Sequence, residues 1–141
     1  MKNKNTSGVV TAYARMWPRE VFDGMKGREV LARPVPFLQQ PGVYVLYRDE
    51  HPYYIGKTNR ILFKRIRSHA ANAHDRYYNF WNYFSAFAVP DPVKRNELEA
   101  ILIASMPTVN SAQPKQLTKM LMPRNITNFI GKMRKKKVDF T

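Results

Sequence analysis

From Pro41 to His69 the chain runs PGVYVLYRDEHPYYIGKTNRILFKRIRSH, a segment that restricts the fold more than any other. Gly42 to Tyr47 and Tyr53 to Ile55 are rich in β-branched and aromatic residues, the composition of strands. The polar Arg48-Asp49-Glu50-His51 between them supplies a turn, so the two runs form a hairpin. A turn centred on Asp49 places Tyr44 directly opposite Tyr54, with two phenols converging on one face. Beyond Gly56 the period changes from two to 3.6: Leu62, Phe63, Ile66, Ala70 and Ala73 fall on one helical stripe, bordered by Arg65 and His69 one turn apart.

The flanking segments complete a small α/β (α+β) architecture. Phe80 to Val89 alternates well enough for a third strand, with apolar residues on both sides. Asp91-Pro92 is a helix start and Pro107 a stop, giving a helix over about 92–105. Further helices are predicted at Gln116–Met122 and Thr127–Lys136, separated by Pro123. Upstream, residues 1–7 form a frayed terminus, Ser7 caps a helix from Gly8 to Met16, and Pro18 opens another reaching Met25. The three prolines of residues 33–41 exclude regular structure and make 30–40 a strap that packs Phe37 and Leu38 onto the domain. The expected fold is a three-stranded, mainly antiparallel sheet flanked by helices. It divides into an N-terminal extension (1–40), a core (41–110) and a basic helical extension (111–141).

Gly42-Val43-Tyr44 and Tyr54-Ile55-Gly56, followed by Lys57-Thr58, Lys64-Arg65-Ile66 and His69, resemble the GIY-YIG nuclease family. Glu99, Leu102-Ile103, Pro107 and Asn110 are similar to that family's closing pattern, so the resemblance spans Pro41 to Asn110. It departs in the Gly56-to-Arg65 gap, one residue longer, and in the presence of Glu97 near Glu99; the register of Leu102 and Ile103 favours Glu99. The resemblance implies metal-dependent endonucleolytic cleavage of DNA. Tyr44 would help activate the attacking water, with Tyr54 and His69 orienting water or phosphate. Gly42, Gly56, Lys57 and Asn110 would support the site, Gly56 by allowing close backbone approach and Asn110 by fixing the end of the acidic helix.

The residue types suit that chemistry. Glu99 could hold a single divalent ion, Mg²⁺ or Mn²⁺, since such ions prefer oxygen ligands and keep most of their waters. Arg65 can grip phosphate oxygens bidentately at any relevant pH. Tyr44, with a reference pKa of about 10, would need a nearby cation such as Lys57, Arg65 or a metal-bound water to favour its ionised form. Taken singly, each has an ordinary role: strand tyrosines, a solvated arginine, a packed histidine, a Glu99–Arg65 ion pair. Their joint order is what selects the nuclease reading. His51, His74 and Asp75 match no metal-ligand spacing.

Charge sharpens the choice of partner. The net charge is +14, and residues 111–141 alone carry eight Lys or Arg against one Asp. Arg134-Lys135-Lys136-Lys137, with Lys57, Lys64 and Arg67, are therefore candidate nucleic-acid contacts. Nothing in the sequence separates RNA from DNA, because no residue is identifiable as a 2′-hydroxyl contact. With 13% aromatics among these cations, a non-catalytic nucleic-acid-binding module is the alternative. The chain has no cysteine and no long apolar run, so a cytoplasmic protein without a membrane span is expected. Little room is left for a recognition domain, which leaves space for a targeting protein partner; oligomeric state is not encoded in any pattern.

Overall fold

The computed structural model describes residues 8–110 and 114–139. Its centre is a four-stranded antiparallel sheet. In chain order the elements are β1 (Ala12–Pro18), a short hairpin β2 (Met25–Lys26) and β3 (Glu29–Val30), β4 (Gly42–Arg48), β5 (His51–Thr58), α1 (Leu62–Ala71), β6 (Tyr83–Ala88), α2 (Pro92–Ser105) and α3 (Arg124–Asp139). The large sheet has the order β1-β6-β4-β5. The β4–β5 hairpin, α1, β6 and α2 lie where the sequence places them, and Asp91 caps α2 by accepting from the Val93 and Lys94 amides.

Four expectations need correction. The sheet has a fourth strand because residues 12–18, expected as helix, pair with β6. Their alternating Tyr13, Arg15 and Trp17 suit a strand, and a bulge at Arg15-Met16 lets the segment follow β6; Met16 takes φ 54° and its amide donates to the buried Ser85 hydroxyl. Pro18 opens only one 3-10 turn, Arg19–Phe22, before the β2–β3 hairpin. Residues 116–122 form no helix, and the last helix begins just after Pro123. The fourth correction is the hairpin register: Tyr44 faces Gly56 rather than Tyr54. The expected frayed terminus lies outside the described residues, as does the side chain of Lys137.

Alternation along β4 and β5 divides the interior. Tyr44, Leu46 and Tyr54 join Leu62, Phe63 and Ile66 of α1, with Phe84, Trp81 and Leu38, in one core. Val43, Val45 and Ile55 meet Leu98, Leu102, Ile103 and Met106 of the α2 side in a second. Each fully buried Leu, Ile, Val or Phe here contributes about 1.5–3 kcal/mol. The strap turn Pro36–Gln39 buries Leu38 completely and sets Phe37 edge-on to Trp17 at 5.4 Å. Gly42 is required by closeness: a Cβ there would run into the Phe87 carbonyl of β6. Arg95 is buried in α2, and its guanidinium donates to the Val89 and Pro90 carbonyls and to Asn59, which anchors the helix to the β6 exit.

Candidate active site

Tyr44 is the hub. Central in the sheet and fully buried, it points toward α1, where its hydroxyl lies 2.8 Å from His69 Nε2 and accepts from Arg65 Nε at 3.3 Å. Arg65 and His69 are one turn apart on α1, so both reach the same oxygen. On its far side, His69 Nδ1 lies 2.9 Å from both carboxylate oxygens of Asp75. A carboxylate only accepts, so Nδ1 carries the hydrogen, Nε2 of the neutral ring accepts, and the Tyr44 hydroxyl donates to it. The result is a directed chain from Tyr44 through His69 to Asp75.

Burial tunes this chain. It pushes the Tyr44 phenol well above its ordinary range, more strongly than the hydrogen bond and charge of Arg65 pull it down. In the protein alone, the pull of Arg65 toward ionised Tyr44 is thus outweighed by desolvation. The His69 ring is pushed below its ordinary value, again by burial, although Asp75 opposes the shift. Arg65 is held even more firmly charged, chiefly through its hydrogen bond to Tyr44.

Tyr54 is the diagonal neighbour of Tyr44, on the same face with ring centroids 6.3 Å apart. Its phenol is also raised, mainly by burial, with a smaller push from the charge of Glu99. Glu99 itself arrives from the other side of the sheet. On α2, it pairs with Lys57 Nζ at 3.4 Å rather than with Arg65, and Lys57 also donates to Asn96. Glu97 faces away, along a groove with Val93, Ile101 and Leu117. The site therefore wraps the outer edge of β5, with the Tyr44 cluster on one face and Glu99 with Lys57 on the other.

A family model, the GIY-YIG catalytic domain, matches residues 40–116. The chain belongs to the GIY-YIG family. Comparison with curated proteins and with solved structures gives no match. The GIY-YIG domain is that of an endonuclease superfamily acting on nucleic acids, generally with a divalent metal. Among the described residues there is no cluster of three or more His, Cys, Asp or Glu placed to hold a metal ion. No described helix is long and apolar enough to cross a membrane.

The two GIY-YIG tripeptides occupy neighbouring strands so that the Tyr of the first lies over the Gly of the second. The close approach expected at Gly56 is thus made by the Tyr44 side chain itself, for which the missing Cβ clears space. Asn110 holds the edge of β5 in place: its amide accepts from the Ile55 N–H at 2.9 Å and donates to the Ile55 carbonyl at 2.8 Å. Among the candidate nucleic-acid contacts, Lys64 and Arg67 lie on the solvent face of α1 beside Arg33, and Arg134, Lys135 and Lys136 are exposed on α3.

Sequence reasoning missed Asp75. In the sequence it stands out only as a possible metal ligand, yet it is six residues beyond His69 in a run of tight turns, where its carboxylate also accepts from the Tyr77 amide at 2.8 Å. Asn72-Ala-His-Asp-Arg is the available signal: Asn72 and Asp75 both bond amides two residues on, the habit of Asx turns. Tyr53 and Tyr77 were missed as well. β5 carries one extra residue between the Leu46–Tyr54 and Tyr47–Pro52 pairs, and that residue is Tyr53.

Proposed function

We propose that this chain is a metal-dependent endonuclease that hydrolyses phosphodiester bonds in DNA. The observation that supports it most is the Tyr44 hydroxyl held between Arg65 and a neutral His69 backed by Asp75. Residues 41–110 form the catalytic core on this reading, residues 1–40 are an extension whose strand Ala12–Pro18 completes the sheet, and 111–141 are a basic extension adding phosphate contacts.

A raised phenol is a poor base but a good relay. Water gives a proton to the Tyr44 oxygen as the phenol passes its own to His69 Nε2, and the imidazolium so formed is stabilised by Asp75. The hydroxide attacks phosphorus, the bond to the 3′ oxygen breaks, and solvent protonates the departing oxygen, leaving a 5′-phosphate and a 3′-hydroxyl. Arg65 carries the charge of the non-bridging oxygens. Arg65 is exposed and engages Tyr44 only through Nε, so its terminal nitrogens can take a phosphate while Nε holds the buried phenol. Glu99, partly exposed at the sheet edge, suits a single Mg²⁺ or Mn²⁺ that retains its waters, with Lys57 displaced to a phosphate. When bound, such an ion would supply positive charge to offset the negative charge that develops during phosphodiester hydrolysis.

The same two features favour a second reading, a binding module without turnover: Tyr44 is covered, and Lys57 already neutralises Glu99. Plasmid nicking in Mg²⁺, Mn²⁺ or EDTA separates the two. The nuclease reading expects metal-dependent breaks that are lost in Glu99→Gln and Arg65→Ala and kept in Glu97→Gln. Tight DNA binding with no metal-dependent product on plasmid, flap or junction substrates would favour the binding module.

A further inference from the structure

Outside the catalytic cluster, the region best built for a ligand is a ladder of aromatic rings leading from it to the surface. Tyr77 stacks on Tyr54 with centroids 4.3 Å apart and an interplanar angle of 27°. Tyr53 meets Tyr77 edge-on at 5.8 Å and stacks on Phe80 at 4.2 Å and 24°. Phe80 is the outermost rung and remains 48% exposed. Consecutive strand residues ordinarily point to opposite faces, so Tyr53 and Tyr54 should not share a ladder. The single-residue bulge at Tyr53 re-aims its ring, as bulges beside active sites do.

The outer rungs are fixed before any ligand arrives. The Phe80 amide donates to the Tyr77 carbonyl, and its carbonyl accepts from Arg48. From the N-terminal extension, Arg19 donates to Asn79 and to the Ala70 and Trp81 carbonyls, and its guanidinium lies over Tyr78 at 5.4 Å. Arg48 and Arg76 are exposed beside the ladder, Arg76 over the Tyr77 ring at 5.7 Å. A rigid aromatic with one face covered and the rest in water, flanked by arginines and continuous with Tyr54, presents a planar ligand with a π surface and a phosphate with cations.

We infer that Phe80, backed by Tyr53, stacks an unpaired nucleobase close to the scissile phosphate, so that the protein selects strands with an unstacked base over continuous duplex. A base inside a duplex has both faces occupied by its neighbours, and only an unpaired base can cap the ladder. This inference rests on the nuclease reading for its substrate class. The N-terminal extension, through Arg19, then serves recognition by holding the loop that carries Phe80.

The test measures binding of the full chain in EDTA to a DNA duplex bearing a single-nucleotide bulge of 2-aminopurine and to the same duplex fully paired. Wild type should prefer the bulged duplex and quench its fluorescence. Phe80→Ala should reduce the bulged-over-paired preference roughly 5- to 150-fold, the worth of one base–aromatic stack. Phe80→Trp should keep the preference, and Phe80→Leu, which retains bulk without a π face, should lose it. The inference is overturned if wild type shows no preference, if Phe80→Leu behaves as wild type, or if Phe80→Ala weakens both duplexes equally. Addition of Mg²⁺ separates the two readings: a Phe80-dependent quench without cleavage upholds stacking and refutes the nuclease, while cleavage indifferent to the bulge does the reverse.

Discussion

Replacing Gly56 with Ala tests the packing on which the site depends. Gly56 has ordinary backbone angles, so the cost of a side chain there is purely one of space. The three atoms nearest to a Cβ at that position all belong to the Tyr44 phenol, its hydroxyl oxygen first. Overpacking a filled interior costs about 1–3 kcal/mol. If the ring tilts away, the buried Tyr44–His69 hydrogen bond is strained as well, a further loss of about 1 kcal/mol. Gly56→Ala should therefore destabilise by about 2–4 kcal/mol, read from urea unfolding followed by circular dichroism. In a Tyr44→Val background the ring is gone, and the same change should cost close to nothing or stabilise by about 0.5 kcal/mol, since Gly is the poorer strand residue. The coupling between the two positions should thus account for nearly all of the single-mutant effect. A cost that persists undiminished without the ring would refute the proposed fit of Tyr44 over Gly56.

Three further outcomes are expected. His69 meets Asp75, Tyr44, Arg65 and the Tyr54 and Tyr77 rings, and burial lowers its pKa. Cleavage should therefore fall only as pH drops through a midpoint below the ordinary histidine value of about 6.5. His69 should contribute stability above that ordinary value that is lost as pH falls toward the folded midpoint, because the unfolded chain takes up the proton first. Asp75→Asn should move the kinetic midpoint lower still and slow cleavage about 10- to 100-fold by weakening a charge-assisted hydrogen bond; an unchanged pH profile would remove Asp75 from the relay. Asn110→Ala should cost about 1–3 kcal/mol in urea unfolding, as the Ile55 N–H and carbonyl lose their partners at the β5 edge. Deleting residues 124–141 should flatten the salt dependence of DNA binding without altering substrate preference, and a lost preference would give α3 a part in recognition.

The Pro41–His69 run and the Asp91-Pro92 start were legible because they obey local rules: a two-residue period, a 3.6-residue period, a capping side chain and a proline stop. The joint order of Tyr44, Tyr54, Arg65, His69, Glu99 and Asn110 was enough to reach the family. Residues 12–18 were not legible as a strand, because a short edge strand takes its hydrogen bonds from β6, seventy residues away, and no local pattern records such a partner. The 116–122 segment carried helix-forming residues but among the described contacts has little core to pack against, and propensity alone rarely sustains a helix of that length.

Within the site, the sequence determined which side chains are available, and tertiary structure decided their partners. Register is a property of two strands and their bulges together. One extra residue at Tyr53 set Gly56 opposite Tyr44, brought Tyr53 onto the Tyr54 side and created the ladder to Phe80. Asp75 became the partner of His69 only through the turns of residues 72–80, and Lys57 took Glu99 because the two meet around an open sheet edge. Contacts across large sequence separations depend on how elements pack, and that information is distributed over the whole chain.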